Sequence, residues 1–147
     1  MTAFHAMPAD QTTRERVVRD FDTTLLLEAG AGTGKTTVLV SRILALVRSG
    51  RAPLDRIVAI TFTEKAAGEL KLRLRDGIEE ALESEGEEGR RQRLLAASHD
   101  LERAPVSTIH AFTAALLRER PFEAGLDPGF GVGCSTFRRG RGTRRTC

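Results

Sequence analysis

Three glycines at alternate positions, Gly30, Gly32 and Gly34, run directly into Lys35 and Thr36. Glycine tolerates backbone angles that other residues avoid, so such a loop can curl until successive N–H groups face one point. Converging N–H groups suit phosphate oxygens. A helix starting near Lys35 would add the partial positive charge of its N-terminus. The Lys35 ammonium could then reach the β and γ phosphates of a nucleotide, and the Thr36 hydroxyl could ligate Mg2+. The cradle read from this stretch is Ala29, Gly30, Ala31, Gly32, Thr33, Gly34, Lys35, Thr36 and Thr37, with Lys35 and Thr36 nearest any chemistry. The general phosphate-loop pattern has glycine where Ala29 stands. Gly34, Lys35 and Thr36 carry the contacts, so alanine at the entry to the turn leaves the mechanism intact. A glycine turn without a ligand would not account for the Lys35–Thr36 pair, which this reading expects to be buried.

A phosphate loop needs a strand before it and a helix after it. Residues 23–28, TTLLLE, are a short apolar run that stops at the glycines, as a buried strand would. Residues 35–48 place Val38, Leu39, Ile43, Leu46 and Val47 at helical spacing. Upstream, QTTRERVVRD at 11–20 reads as a short helix. Downstream, RIVAITF at 56–62 is a second near-continuous apolar strand, the type buried on both faces of a parallel sheet. A long helix follows, with Thr63 as its cap and Glu64 in its first turn. Residues 83–93 are charged and glycine-broken and read as a solvated linker or hairpin between helices. LLAASHDLE returns to a helical pattern, APVSTI at 104–109 reads as a third strand, and HAFTAALLRERPFEAG as a helix ending near Pro121. This alternation predicts an α/β fold with a doubly wound, mostly parallel sheet, small at three strands.

Composition excludes several classes. Hydrophobic residues make up 40% of the 147 and charged residues 29%, an ordinary soluble balance. No apolar run approaches the ~20 residues that cross a bilayer. The N-terminus lacks a basic stretch followed by an apolar core, so a cytoplasmic location without membrane contact is expected. Cys134 and Cys147 have no neighbours at metal-ligand spacing. The formal charge of +3 misleads, because five arginines and no acidic residue follow Gly133, leaving −2 on the body.

Four segments in order carry a family resemblance: PADQ with Gln11, the loop itself, IVAITFTEKAAGELKLRLR, and VSTIHAFTAALLRE followed by FEAGLDPGFGV. The series resembles the N-terminal RecA-like domain of superfamily I helicases, and within them the UvrD/RecB/AddA group of ATP-dependent DNA helicases and helicase-nucleases. In that group the loop often reads A-G-A-G-[ST]-G-K-T, so Ala29 fits. The resemblance implies a P-loop NTPase fold of RecA-like type, ATP and Mg2+ as cofactors, single-stranded DNA as partner, and a nuclease partner subunit besides. It implies that Gln11 reads the adenine edge. It assigns DNA contacts to Thr61, Phe62, Thr63 and Lys65, and to Thr108, His110 and Phe112. Hydroxyls and helix N-termini suit phosphate oxygens, and aromatic rings can stack on bases. Phe62 and Phe112 could equally close a core, and a lone His110 reads more readily as a packed or capping residue than as a catalyst.

The resemblance runs from about Pro8 to Val132. It implies residues 1–133 as a partial UvrD-like ATP-binding domain; residues 134–147, where hydrophobic periodicity vanishes and glycine, arginine, serine and threonine dominate, read as a disordered basic tail. No apolar run in the chain ends in the Asp-Glu pair with which the family organises Mg2+ and activates water, and no second RecA-like domain is present in the 147 residues. The expected fold is therefore incomplete and the chain catalytically incomplete, acting in its full-length relatives in repair or recombination. A codon string for Val-Leu-Asp-Glu read one base later encodes Cys-Ser-Thr, the residues at 134–136, so the tail reads as out of frame. Its rival is a genuine Arg/Gly tail that makes the chain a nucleic-acid-binding module. A third reading is a small stand-alone P-loop enzyme of nucleotide-kinase type, with the arginines of 90–93 as a lid.

Overall fold

Val40, Ile43 and Val47 recur at helical spacing and are all buried, so one face of the helix after the glycine loop is dictated by its sequence. The computed structural model of the chain describes residues 11–28, 30 and 32–126. Within them α1 covers Gln11–Arg19, α2 Lys35–Ser49, β1 Ala59–Thr61, α3 Glu64–Ser84, α4 Glu88–Asp100, β2 Val106–Thr108 and α5 Ile109–Glu119. A single 3-10 turn, Leu54–Arg56, precedes β1. The result is an α/β fold, mostly helical, with one two-stranded parallel sheet. The chain divides into two compact units, one through Thr108 and the other from Ile109 onward.

The core of the first unit is an inter-helix seam backed by the sheet. α3 contributes Ala67, Leu70, Leu74, Ile78 and Ala81, a repeat of three and four residues that keeps one stripe inward. α4 adds Leu94 and Ala97, the strands add Ala59 and Val106, and Leu54 and Leu101 close the cluster. Leu74 and Leu94 have no exposed surface; burying each stabilises the fold by roughly 1.5–3 kcal/mol.

Helix ends follow local chemistry. Thr63 caps α3, its hydroxyl accepting from the Ala66 amide at 3.1 Å. Gly50 ends α2 with φ 73°, and its amide and that of Arg51 bond Val47 and Leu46 carbonyls at 3.0 and 3.1 Å. That pattern needs a left-handed residue, which glycine supplies without strain.

The strand expected at 23–28 is not formed. The segment is irregular and mostly exposed, with Leu26 at 86%. A strand exists only where a neighbour takes its backbone bonds, and β1 pairs only with β2 among the described residues. The linker or hairpin expected between helices at 83–93 is confined to residues 85–87 between α3 and α4, because α4 starts at Glu88. Leu94, Ala97 and Leu101 all lie on its buried side and draw the charged first turn into the helix. The remaining elements stand where their patterns put them, with β1 and β2 shorter than their apolar runs. The tail at 134–147, with Cys134 and Cys147, lies outside the described residues.

Among the described residues the second unit is α5 followed by a turn. Gly125 takes φ 66°, and Leu126 bonds back to the Pro121 carbonyl at 2.8 Å. The helix ends at Glu119, two residues before the proline that cannot continue it.

Candidate nucleotide loop and the strand-end cluster

The glycine loop has the backbone its residues require. Gly32 and Gly34 take φ 78° and 85°, both left-handed. Gly34 is also the N-cap of α2, and its carbonyl accepts from the Val38 amide at 3.0 Å. The first amides of α2 therefore open toward the loop, with the partial positive charge of a helix N-terminus behind them. Ala29 and Ala31 lie outside the described residues.

Two hydrogen bonds to one carbonyl hold the shape of the loop. Gly30 accepts from the Thr33 hydroxyl at 2.8 Å and from Lys35 Nζ at 3.0 Å. The Lys35 ammonium is thus folded back over the loop rather than extended from it. Lys35 is exposed and Thr36 half-buried, so the pair is more open than expected. Residues 23–28, which the pattern puts before the loop as a strand, are irregular there. Thr37 is exposed on the next turn position.

A residue that belongs to no motif completes the loop. Arg14 Nη2 donates to the Thr33 carbonyl at 2.9 Å across nineteen positions. A Cβ on Gly34 would meet Arg14 Nη1 at 3.4 Å. Arg14, Thr13, Leu27, Glu28, Thr33 and Lys35 border a cavity of about 180 Å3 beside the loop. Gln11 stands one helical turn before Arg14 on the same side of α1. Its amide reaches Glu15 at 3.3 Å. The end of α1 and the segment after it are fixed to α2 and to the residue just beyond the cap of α2. Arg42 donates to the Val17 carbonyl and lies 5.6 Å from the Phe21 ring centroid, and Arg51 pairs bidentately with Asp22 at 2.9 and 3.0 Å.

Of the second group of sequence-assigned residues, Thr61, Phe62, Thr63, Lys65 and Thr108 collect at the C-terminal end of the sheet. The parallel register sets Thr61 opposite Thr108. The Thr61 hydroxyl donates to the Thr63 carbonyl at 3.1 Å, and the buried Thr108 hydroxyl to Glu64 Oε1 at 3.0 Å. Thr63 and Lys65 are exposed at the start of α3, and Phe62 is 93% exposed. Phe62 is therefore no part of the core. His110 is exposed and Phe112 half-buried, both on α5 in the second unit. The carboxyl ends of parallel strands are where open α/β sheets bind their ligands.

The arginines of 90–93 do not form a lid. Arg90 pairs with Glu87 at 2.9 Å, Arg91 donates to the Leu82 carbonyl at 3.0 Å, and Arg93 Nε to the Arg48 carbonyl at 2.9 Å. Basic groups at those carbonyls satisfy acceptors that helix C-termini leave open. Beside them Arg48 pairs with Glu85 at 2.6 Å, the Glu85 side chain keeping only 5% of its surface exposed. Burial pushes the Glu85 carboxyl up, but the Arg48 guanidinium, the Glu87 amide and the charge of Arg90 together hold it below the usual range.

A model of the UvrD/REP helicase N-terminal domain matches residues 10–136. The chain belongs to that family. Among its relatives are ATP-dependent helicase/nuclease subunits of the AddA type. That of Syntrophomonas wolfei is 39% identical over 123 residues, which is 84% of this chain and 10% of the relative. That of Clostridium perfringens is 40% identical over 114 residues, 76% of this chain and 9% of the relative. That of Enterococcus faecalis is 37% identical over 115 residues, 78% and 9%. The chain thus spans about a tenth of the length of the curated relatives it matches. Among the described residues of this helicase-family chain, no group of three His, Cys, Asp or Glu side chains could hold a metal ion, and no helix is long and apolar enough to cross a membrane.

Proposed function

We propose that this chain is the ATP-holding part of an ATP-dependent DNA helicase or helicase-nuclease that works on single-stranded DNA in repair or recombination. The observation that carries the reading is Lys35 Nζ resting on the Gly30 carbonyl at 3.0 Å, over a helix N-terminus capped by left-handed Gly34. An ammonium parked on a loop carbonyl can exchange that acceptor for a phosphate oxygen with little movement, and the α2 amides already point the same way.

In this reading β1 and β2 are two strands of a doubly wound P-loop NTPase sheet, and residues 1–133 belong to the ATP-binding domain. Residues 29–37 hold the triphosphate and Gln11 reads the base. Thr36 stands half-buried in the first turn of α2, a hydroxyl suited to a hard cation. The described residues offer no carboxylate cluster to bind that cation alone, so Mg2+ would arrive with the nucleotide and neutralise part of its charge. Thr61, Phe62, Thr63, Lys65 and Thr108 make a DNA surface on the first unit, and His110 and Phe112 are DNA contacts of the second. A nuclease is the further partner. Phosphoryl transfer needs positioned charge around the γ phosphate. No apolar run in this sequence ends in Asp-Glu, so the chain itself holds ATP and turns it over little.

The test is titration of a fluorescent ATP analogue in Mg2+. Saturable binding that falls at least about tenfold on Lys35→Ala is expected, as loss of a charge-assisted contact worth roughly 1.5–3 kcal/mol requires. No binding by the wild-type chain would overturn the reading. Robust ATP turnover abolished by Lys35→Ala would overturn its catalytic incompleteness.

A further inference from the structure

The loop is held from outside as well as from within, and the outside contact comes from the helix that begins at Gln11. Arg14 Nη2 reaches the Thr33 carbonyl at 2.9 Å, while its Nη1 lies where a Cβ on Gly34 would approach to 3.4 Å. Thr33 and Gly34 directly precede Lys35. The same guanidinium borders the cavity that Lys35 and Glu28 line. A planar guanidinium with a fixed fork of donors transmits position better than a flexible ammonium would. α1 cannot shift along the loop without breaking this bond or pulling Thr33 with it. The contacts through Val17 and the Phe21 turn join the far end of α1 to α2, away from the loop.

We propose that Arg14 is a positioning residue that couples the base end of the nucleotide site to its phosphate end, by holding the first turn of α1 in register with Thr33 and Gly34. This rests on the ATP-site reading above, with Gln11 at the base. Arg14 itself need touch neither base nor phosphate. Its contribution is that a nucleotide held at Gln11 presents its phosphates to a loop already in place. Inorganic triphosphate, having no base, gains nothing from that register.

The experiment uses the full 147-residue chain with Mg2+ and measures displacement of a fluorescent ATP analogue by ATP and by inorganic triphosphate. The variants are Arg14→Met, Arg14→Lys, Gln11→Ala and Gln11→Ala/Arg14→Met, with helix content checked by circular dichroism. Arg14→Met is expected to weaken ATP about tenfold, the effect of losing one charge-assisted hydrogen bond, and to weaken triphosphate much less. Arg14→Lys recovers part of the loss. Gln11→Ala lowers the ATP preference alone, and the double variant is no worse than Arg14→Met, because coupled residues do not add. Equal losses for both ligands, or additive losses in the double variant, overturn the coupling. So does a wild-type chain that binds both ligands equally, which leaves the phosphate-loop reading standing. A wild-type chain that binds neither overturns both. Should Arg14→Met lose helix content, the decision passes to Arg14→Lys: an unchanged ATP preference there, with native helix content, sinks the proposal, and a partial loss supports it.

Discussion

Thr108 donates its hydroxyl hydrogen to Glu64 Oε1 at 3.0 Å, joining the last residue of β2 to the first residue of α3 across forty-four positions. Thr61, paired with Thr108 in the sheet, turns its own hydroxyl to the Thr63 carbonyl. Thr61, Thr63 and Thr108, three residues to which the family resemblance assigns DNA contacts, therefore stand in one cluster at the strand ends. Its geometry is set by a cap on one side and by this side-chain bond on the other.

Thr108→Val tests that bond. Thr108 is buried, 6% exposed, and valine keeps its shape without its hydroxyl. Glu64 is exposed and can recover water, so the cost should sit near the low end for a hydrogen bond to a charged group, about 1.5 kcal/mol. A urea midpoint followed by far-UV circular dichroism measures it. An unchanged midpoint would show that the bond contributes nothing in solution.

Two glycines of α3 should behave oppositely. Alanine is favoured over glycine inside a helix by roughly 0.8–1 kcal/mol. Gly68 has nothing within 4 Å of a built Cβ, so Gly68→Ala should stabilise by most of that amount. At Gly77 the Cβ would meet Leu44 Cδ1 at 2.8 Å and Val40 Cγ1 at 3.4 Å. Leu44 lines a cavity of about 430 Å3 and can swing aside, but Val40 is stiff and buried. Repacking of that kind costs roughly 1–3 kcal/mol, enough to cancel or exceed the propensity gain. Thermal unfolding should rank Gly68→Ala above wild type and Gly77→Ala at or below it; the reverse order would mean that α2 and α3 pack less closely than described.

Most elements are legible in the sequence because their cause is local. α2 and α3 announce themselves by apolar spacing, and Thr63 by its hydroxyl before an acidic first turn. The 23–28 segment departs from the strand its apolar run suggests, because such a run carries no information about whether a partner takes its backbone bonds. The 83–93 stretch departs for the opposite reason. Its charges dominate the local pattern, yet Leu94, Ala97 and Leu101 pull it into a helix, and Arg91 and Arg93 end on carbonyls contributed by α3 and α2. The loop glycines and Lys35 are visible as a motif, whereas Arg14 is not, since a side chain bonding a carbonyl nineteen residues away leaves no spacing signal.

The Arg48–Glu85 pair should give the chain an acid-side stability slope. Glu85 titrates below the usual glutamate range in the folded chain. Its ionised form is thus favoured by folding, and the stabilisation is complete above the unfolded value of about 4.3. It is lost as pH falls through the lower folded value. The stability difference between wild type and Glu85→Gln should be constant from about pH 7 to about 5.5 and shrink toward about pH 3. Parallel stability curves over that whole range would show that Glu85 titrates normally.

Gly34→Ala should damage the loop twice over. A left-handed φ of 85° costs alanine roughly 1–2 kcal/mol. The new methyl also crowds Arg14 Nη1 at 3.4 Å. Thermal unfolding should show a loss of that order, and affinity for a fluorescent ATP analogue should fall by more than the loss in stability accounts for. Retained affinity would mean that the loop binds nucleotide in a backbone conformation other than this one.

Phe62 separates a DNA surface from an ordinary apolar one. It follows β1 on the side where Val58 and Ile60 are about half exposed, and it is itself 93% exposed. Removing so exposed a side chain should change stability by no more than about 0.5 kcal/mol. If a base stacks on it, Phe62→Ser should weaken single-stranded DNA binding roughly 5- to 150-fold, the equivalent of about 1–3 kcal/mol per stacked base. Fluorescence anisotropy of a labelled oligo-dT at one fixed salt concentration reads this directly, and fixing the salt matters because phosphate contacts dominate the remaining affinity. The salt slope should stay the same in the variant, since stacking releases no counterions. Unchanged affinity, together with better solubility, would instead mark the Val58–Ile60–Phe62 side as a surface that another protein layer covers.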